Sequence, residues 1–127
     1  MNPIDMFALG INLNDDGTVL PGPRRMSGDS DGWTVAVFHV ETDEDVHGDH
    51  WEMHPEADEA VCVLNGGARL YLRPEDGQEQ PREPVTLTSG TAFVVPRGRW
   101  HRLELDGPSD LMSITLRRGT RLEKRLA

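Results

Sequence analysis

The sequence predicts an all-β, single-domain fold. Three observations point there. Short runs rich in β-branched and aromatic residues recur along the chain, Gly, Pro, Asn and Asp turns separate them, and helical periodicity is scarce. Many short strands between such turns close into a sandwich or a barrel. At 127 residues the chain is one domain long. A domain of this size buries roughly two-thirds of the surface its unfolded chain exposes, so an interior site has room to form.

Residues up to about 32 read as an N-terminal arm. Within it Pro3–Leu9 admits a short helix, and Asn14-Asp15-Asp16-Gly17 is a turn between short extended pieces. Pro21-Gly22-Pro23 and Ser27 to Gly32 are loops. Trp33–Val40 is apolar on both alternating faces, the pattern of a strand covered on both sides. An acidic loop follows, Glu41 to Asp45. Glu59–Leu64 and Ala68–Arg73 flank Asn65-Gly66-Gly67, a hairpin signal. Beyond the polar loop Arg73–Pro84 come four more strands: Pro84–Leu87, Thr91–Val95, Trp100–Leu105 and Leu111–Leu116. Alternation turns Val61, Val63, Leu70, Leu72, Leu103 and Leu105 inward, and Cys62 outward. The basic tail, about 117–127, reads as a solvated C-terminal segment.

The formal net charge is −9. Residues 1–66 carry 14 Asp/Glu against 2 Arg, and residues 67–127 carry 8 against 11 Lys/Arg. An acidic chain repels phosphate backbones, so nucleic acid is not the expected partner. No stretch approaches the roughly 20 apolar residues of a membrane helix. Met1 to Gly10 lacks the basic and apolar regions of a signal peptide. The single cysteine, Cys62, rules out an intrachain disulfide and suits a cytoplasmic location.

Chemistry concentrates in His50-Trp51-Glu52-Met53-His54-Pro55-Glu56-Ala57-Asp58-Glu59. On a strand, His50, Glu52 and His54 share a face. A helix would also bring His50 and His54 together. Pro55 disfavours helical geometry at His54, and the zinc-protease helix needs Glu where Trp51 stands. A divalent first-row metal takes several N or O donors at about 2.0–2.3 Å. Glu52 and His54, with Glu59 on the returning strand and His101 after Pro96-Arg97-Gly98, supply four. His50 is the alternative ligand to Glu52, or stands behind the ligands. Trp51 and Trp100 adjoin proposed ligands but alternate away from them.

These residues resemble the cupin superfamily. Its first motif sets Gly, then His-x-His, Glu three or four residues on, and Gly six further. Here His54, Glu59 and Gly66 match, Glu52 stands in place of the first His, and the opening Gly falls at Val46. In the second motif Gly90, Pro96, Gly98 and His101 match at every spacing, while Leu105 replaces the terminal Asn. The resemblance spans Glu52 to Leu105 and implies a double-stranded β-helix, the jelly-roll barrel, over residues 1–127.

It also implies one divalent transition metal (Fe, Mn, Zn or Ni) held by Glu52, His54, Glu59 and His101. The partner would be a small organic molecule, and the reaction of dioxygenase, isomerase or lyase type. His50 or Glu52 would serve as acid or base if not a ligand. Two alternatives stand beside the enzyme: a non-catalytic binding module, and a cupin with a vestigial metal site, since fold is not function. The resemblance further implies a homodimer, which the two-sided apolar strand Trp33–Val40 suits.

Overall fold

The computed structural model describes residues 2–75 and 83–126. Most of the polar loop Arg73–Pro84 therefore lies outside the described residues. Among those described, the chain forms β1 (Gly10–Leu13), β2 (Val19–Gly22), β3 (Trp33–Val40), β4 (His50–Met53), β5 (Glu59–Asn65) and β6 (Gly67–Leu72). Then come β7 (Val85–Thr88), β8 (Thr91–Val95), β9 (His101–Leu105), β10 (Ser109–Leu116) and β11 (Arg121–Lys124). They make two antiparallel sheets, β2-β1-β3-β10-β5-β8 and β11-β4-β9-β6-β7. The fold is the all-β jelly roll that the sequence predicts.

The core fills the space between the sheets. Val61 and Val63 of β5, Ala68 and Leu70 of β6, Leu87, Val95, Val40 and Leu111 are buried there. Leu72, Leu103 and Leu105 belong to the same inward rows but are only half-buried against that core. Leu72 pairs with His101 at the more polar end, and Leu103, although paired with buried Leu70, lines the cavity. Cys62 sits on the outer side, paired with Ala92 and Met112.

Three local expectations are corrected. Asn65-Gly66-Gly67 is not a hairpin turn, since β5 pairs with β10 and β8 while β6 pairs with β7 and β9. The chain instead crosses there from one sheet to the other. Gly66 takes φ 101°, and a Cβ on it would stand 2.3 Å from Ser109 Oγ. The crossing needs both the left-handed backbone and the missing side chain. Pro3–Leu9 forms a turn and no helix: the Ala8 and Leu9 N–H groups both reach the Asp5 carbonyl, whose side chain accepts from Phe7 N–H. That local bond replaces a helical ladder.

The third correction concerns part of the basic tail. Arg121–Lys124 are exposed as a solvated segment would be, but Arg117 is buried, and β11 pairs with β4 across Arg121↔Met53 to Lys124↔His50. A pattern of charges hid a strand whose backbone completes the smaller sheet. The N-terminal arm similarly supplies β1 and β2, which extend the larger sheet beyond β3. The acidic loop contains a short 3-10 turn, Asp43–Val46, capped by Thr42 and ended by His47 at φ 52°.

Candidate metal centre

Four side chains from three segments meet at one end of the barrel. Glu52 comes from β4, His54 follows it, Glu59 opens β5 and His101 opens β9. β4 and β9 are registered by Glu52↔His101, which places those two side by side. Glu59 heads the inward row that continues as Val61 and Val63, so alternation aims its carboxylate inside. One donor atom from each of the four lies within 4.8 Å of the others.

The turn before His101 is tied down from both sides. Gly98, at φ 82°, donates its N–H to the His54 carbonyl at 2.9 Å. Asp58 Oδ1 accepts the Arg97 N–H at 2.8 Å. Asp58 therefore links segments 39 residues apart. Pro96-Arg97-Gly98 thus aims His101 by being stitched to the segment between β4 and β5, next to His54 and Glu59.

The inner spacings are those of metal donors. His54 Nε2 lies 3.1 Å from Glu52 Oε1 and 3.2 Å from Glu59 Oε1. His101 Nε2 lies 3.0 Å from Glu59 Oε1 and 3.9 Å from Glu52 Oε1. Two ligands at about 2.1 Å from one ion stand about 3.0 Å apart at a right angle and about 3.4 Å apart at a tetrahedral angle. Protonation chemistry agrees. His101 Nδ1 faces the Arg99 carbonyl at 3.1 Å, which can only accept, so Nδ1 carries a proton. Its Nε2 then turns a lone pair toward a carboxylate oxygen unless a second proton or a cation stands between. The residues present fit a divalent ion.

Without such an ion, a proton takes its place. Burial alone would lower the His54 pKa, but hydrogen bonds and charge from Glu52 and Glu59 overcome it and raise the group to about 9. For Glu59, burial acts to raise the pKa, and the bonds from His101 and His54 reverse that and hold the carboxyl well below its ordinary range.

Two residues that sequence reasoning missed sit behind the ligands. Thr120 Oγ1 lies 2.6 Å from His54 Nδ1, orienting the ring so that Nε2 faces inward. Arg117 Nη2 donates to Glu59 Oε2 at 3.3 Å and to Ser113 Oγ at 3.0 Å. Arg117 was legible in one respect. The inward row Ser109, Leu111, Ser113, Thr115 of β10, continued by two, reaches it. Thr120 left no comparable signal, because its position follows from the turn between β10 and β11.

The other candidates separate. His50 bonds to Asp49 Oδ1 at 2.8 Å and stands on the cavity wall, outside the four-residue cluster. Glu52, with a side chain 30% exposed, is the cluster member nearest to solvent. His47 borders the cavity, while His39 pairs with Asp110 on the outer face. Trp51 and Trp100 turn away as expected, and the Arg73 guanidinium lies 5.9 Å and 4.5 Å from their rings. Beside the centre opens a cavity of about 260 Å³ whose apolar wall includes Phe38, Val40, Val61, Leu103 and Leu111.

Known proteins can now be set beside this geometry. A family model described as the cupin domain matches residues 36–116, more than half of the chain. A search of curated protein sequences returns no match. Among solved structures, a Klebsiella pneumoniae protein with a double-stranded β-helix domain is 19% identical, with a TM-score of 0.52 over 78% of this chain and 74% of its own. A Bacillus halodurans protein is 21% identical, with a TM-score of 0.50 over 66% of this chain and 61% of its own. A hydroquinone 1,2-dioxygenase, solved with Cd2+ and 4-hydroxybenzonitrile, is 19% identical with a TM-score of 0.50 over 66% of this chain. This chain spans 57% of the dioxygenase chain's length. At such identities the likenesses speak for the fold, and the matched domain together with the converging motif residues makes this chain a member of the cupin family.

Proposed function

We propose that this cupin is a metal-dependent protein acting on a small organic molecule, with Glu52, His54, Glu59 and His101 holding one divalent ion. The carrying observation is the convergence of two imidazoles and two carboxylates within 4.8 Å at the wall of a half-open, mainly apolar cavity. The mixed donor set suits Fe, Mn, Zn or Ni over Cu(I), which prefers sulfur. A bound divalent ion supplies polarisation of a substrate oxygen, or activation of water or O₂. A dioxygenase solved with Cd2+ shares the fold, which keeps the oxygenase branch beside the isomerase and lyase branches without choosing among them.

The chain's own part is to prepare and enclose the site. Thr120 and the Arg99 carbonyl hold the two imidazoles with Nε2 inward. Arg117 holds one oxygen of Glu59, leaving the other for the ion. Phe38, Val40, Val61, Leu103 and Leu111 give the cavity an apolar wall. Glu52 and His50, on the open side, are the groups placed to hold or move a proton if Glu52 is not a ligand.

A homodimer belongs to the same proposal. Ile11, Val35, Ile114, Ala60 and Val94 are registered partners across five strands of the larger sheet, and directly opposed residues share a face. That row is apolar and ends in an exposed Val94, so a second copy is the cover it suits. Sedimentation that finds only monomer at micromolar concentration would remove it. The absence of cystine chemistry continues to support a cytoplasmic location.

Elemental analysis of the purified protein tests the centre first. Wild type should carry about one first-row metal per chain, and His54→Ala and His101→Ala should each lose most of it while the barrel stays folded. Unchanged occupancy in both variants sinks the ligand set. Metal with tight small-molecule binding and no turnover would make this a binding module, and no metal after reconstitution would make the site vestigial.

A further inference from the structure

The buried end of the cavity holds a charged group that the metal ligands do not use up. Arg117 is only 5% exposed and lines the cavity wall. Its Nη2 is satisfied by Glu59 and Ser113. Its Nη1 is buried, and among the described residues it has no hydrogen-bond partner. A guanidinium N–H out of water and without an acceptor is costly, so this one has capacity for an acceptor that the described residues do not provide. Ser113 adds a second donor. Its oxygen accepts from Arg117, which leaves its own O–H free to donate.

Counting charge gives the sign of the missing acceptor. On the metal reading, a divalent ion meets two carboxylates, Glu52 and Glu59, and two imidazoles that bind neutral. Arg117 adds one positive charge, so the buried centre carries a net +1. In low dielectric an uncompensated charge is expensive, and a monoanion cancels it. Asp45, His47 and His50 also border the cavity. Asp45 and His47 are exposed, where water and salt screen them. The Asp45 carboxylate is already taken by the Glu41 and Thr42 N–H groups. Arg102 also lines the cavity and its Nε is likewise unpartnered among the described residues, but its charge is balanced by Glu104 and its guanidinium lies over the Tyr71 and Trp51 rings.

We propose that the cavity takes a compact organic carboxylate, its anionic end bonded by Arg117 Nη1 and the Ser113 hydroxyl and its apolar body against Phe38, Val40, Val61, Leu103 and Leu111. The size agrees: about 260 Å³ falls below the usual range of drug-sized sites, which begins near 300 Å³. The charge count rests on the metal proposal, while the unpartnered Nη1 stands without it.

Isovalerate and its neutral isostere isovaleramide test this on the full chain reconstituted with Co(II). Cobalt content is read by elemental analysis, and ligand binding by the visible Co(II) spectrum and by calorimetry. Isovalerate should bind at least about tenfold more tightly than the amide. Arg117→Gln should weaken isovalerate by at least about tenfold while moving the amide by less than about threefold. Ser113→Ala should weaken isovalerate by about threefold or more. Equal or undetectable binding of acid and amide by cobalt-loaded wild type overturns this proposal and leaves the metal centre standing. Failure of wild type to bind cobalt overturns the metal centre and the charge count; calorimetry on the metal-free chain then decides, and no preference for isovalerate over the amide there overturns this proposal as well. Should Arg117→Gln lose cobalt, Ser113→Ala decides: an unchanged affinity for isovalerate there means that the metal alone holds the carboxylate.

Discussion

Arg117 Nη2 lies 3.3 Å from Glu59 Oε2, and both side chains are buried. A cation from the end of β10 thus backs the one carboxylate that touches both imidazoles. Breaking such a pair from one side leaves the other charge without a partner, which costs about 3–5 kcal/mol. Glu59→Gln should therefore destabilise the metal-free protein by about 3 kcal/mol, read by urea denaturation. A loss under about 1 kcal/mol would mean that solvent, not Glu59, carries the Arg117 charge.

His54 predicts a pH dependence with a definite sign. Its pKa in the folded, metal-free protein is about 9, raised from 6.5. The stabilisation linked to that proton is complete below about pH 6.5 and disappears as pH rises through about 9. The metal-free protein should therefore lose stability between those values. A metal must displace the same proton, so loading near pH 7.5 should release about one proton, and apparent affinity should rise about tenfold per pH unit until about pH 9. Calorimetry in buffers of different ionisation enthalpy measures the release. No net release near pH 7.5 would contradict an imidazolium at His54.

Thr120 would act on a bound ion only through His54. Thr120→Val removes the oxygen 2.6 Å from Nδ1 and keeps the volume. Metal affinity should fall about 10–100-fold, measured by competition with a chelator, while thermal unfolding of the metal-free protein moves little. Equal losses of affinity and of fold stability would make Thr120 a packing residue instead.

Gly66→Ala tests the crossing between sheets. The new Cβ meets Ser109 Oγ at 2.3 Å and Pro108 O at 2.9 Å, at φ 101°. The strain should cost about 1–3 kcal/mol, seen as a lower midpoint in thermal unfolding. Gly90→Ala is the control, since it shares positive φ but meets nothing within 4 Å. It should cost less.

Much of the site was legible because strand geometry converts spacing into direction. Glu52 falls on a strand, Glu59 heads the row Val61–Val63, and His101 opens the strand after a Pro-x-Gly turn. The choice between Glu52 and His50 was not legible, because both alternate to the same face. Only the register Glu52↔His101 brings one of them to the cluster. Asn65-Gly66 misled for a related reason. Asn-Gly permits a reversal, but which strands then pair depends on partners far along the chain, here β10 and β8 for β5.

By itself the sequence determined most strands between Trp33 and Leu116, the inward rows and four donors at family spacing, because these depend on local alternation and turn chemistry. Tertiary structure decided what stands behind those donors. Thr120 reaches His54 across 66 residues, and Arg117 reaches Glu59 across 58. Contacts at such separation follow from sheet closure, so a run of charges near the chain's end became one buried guanidinium and one pairing strand.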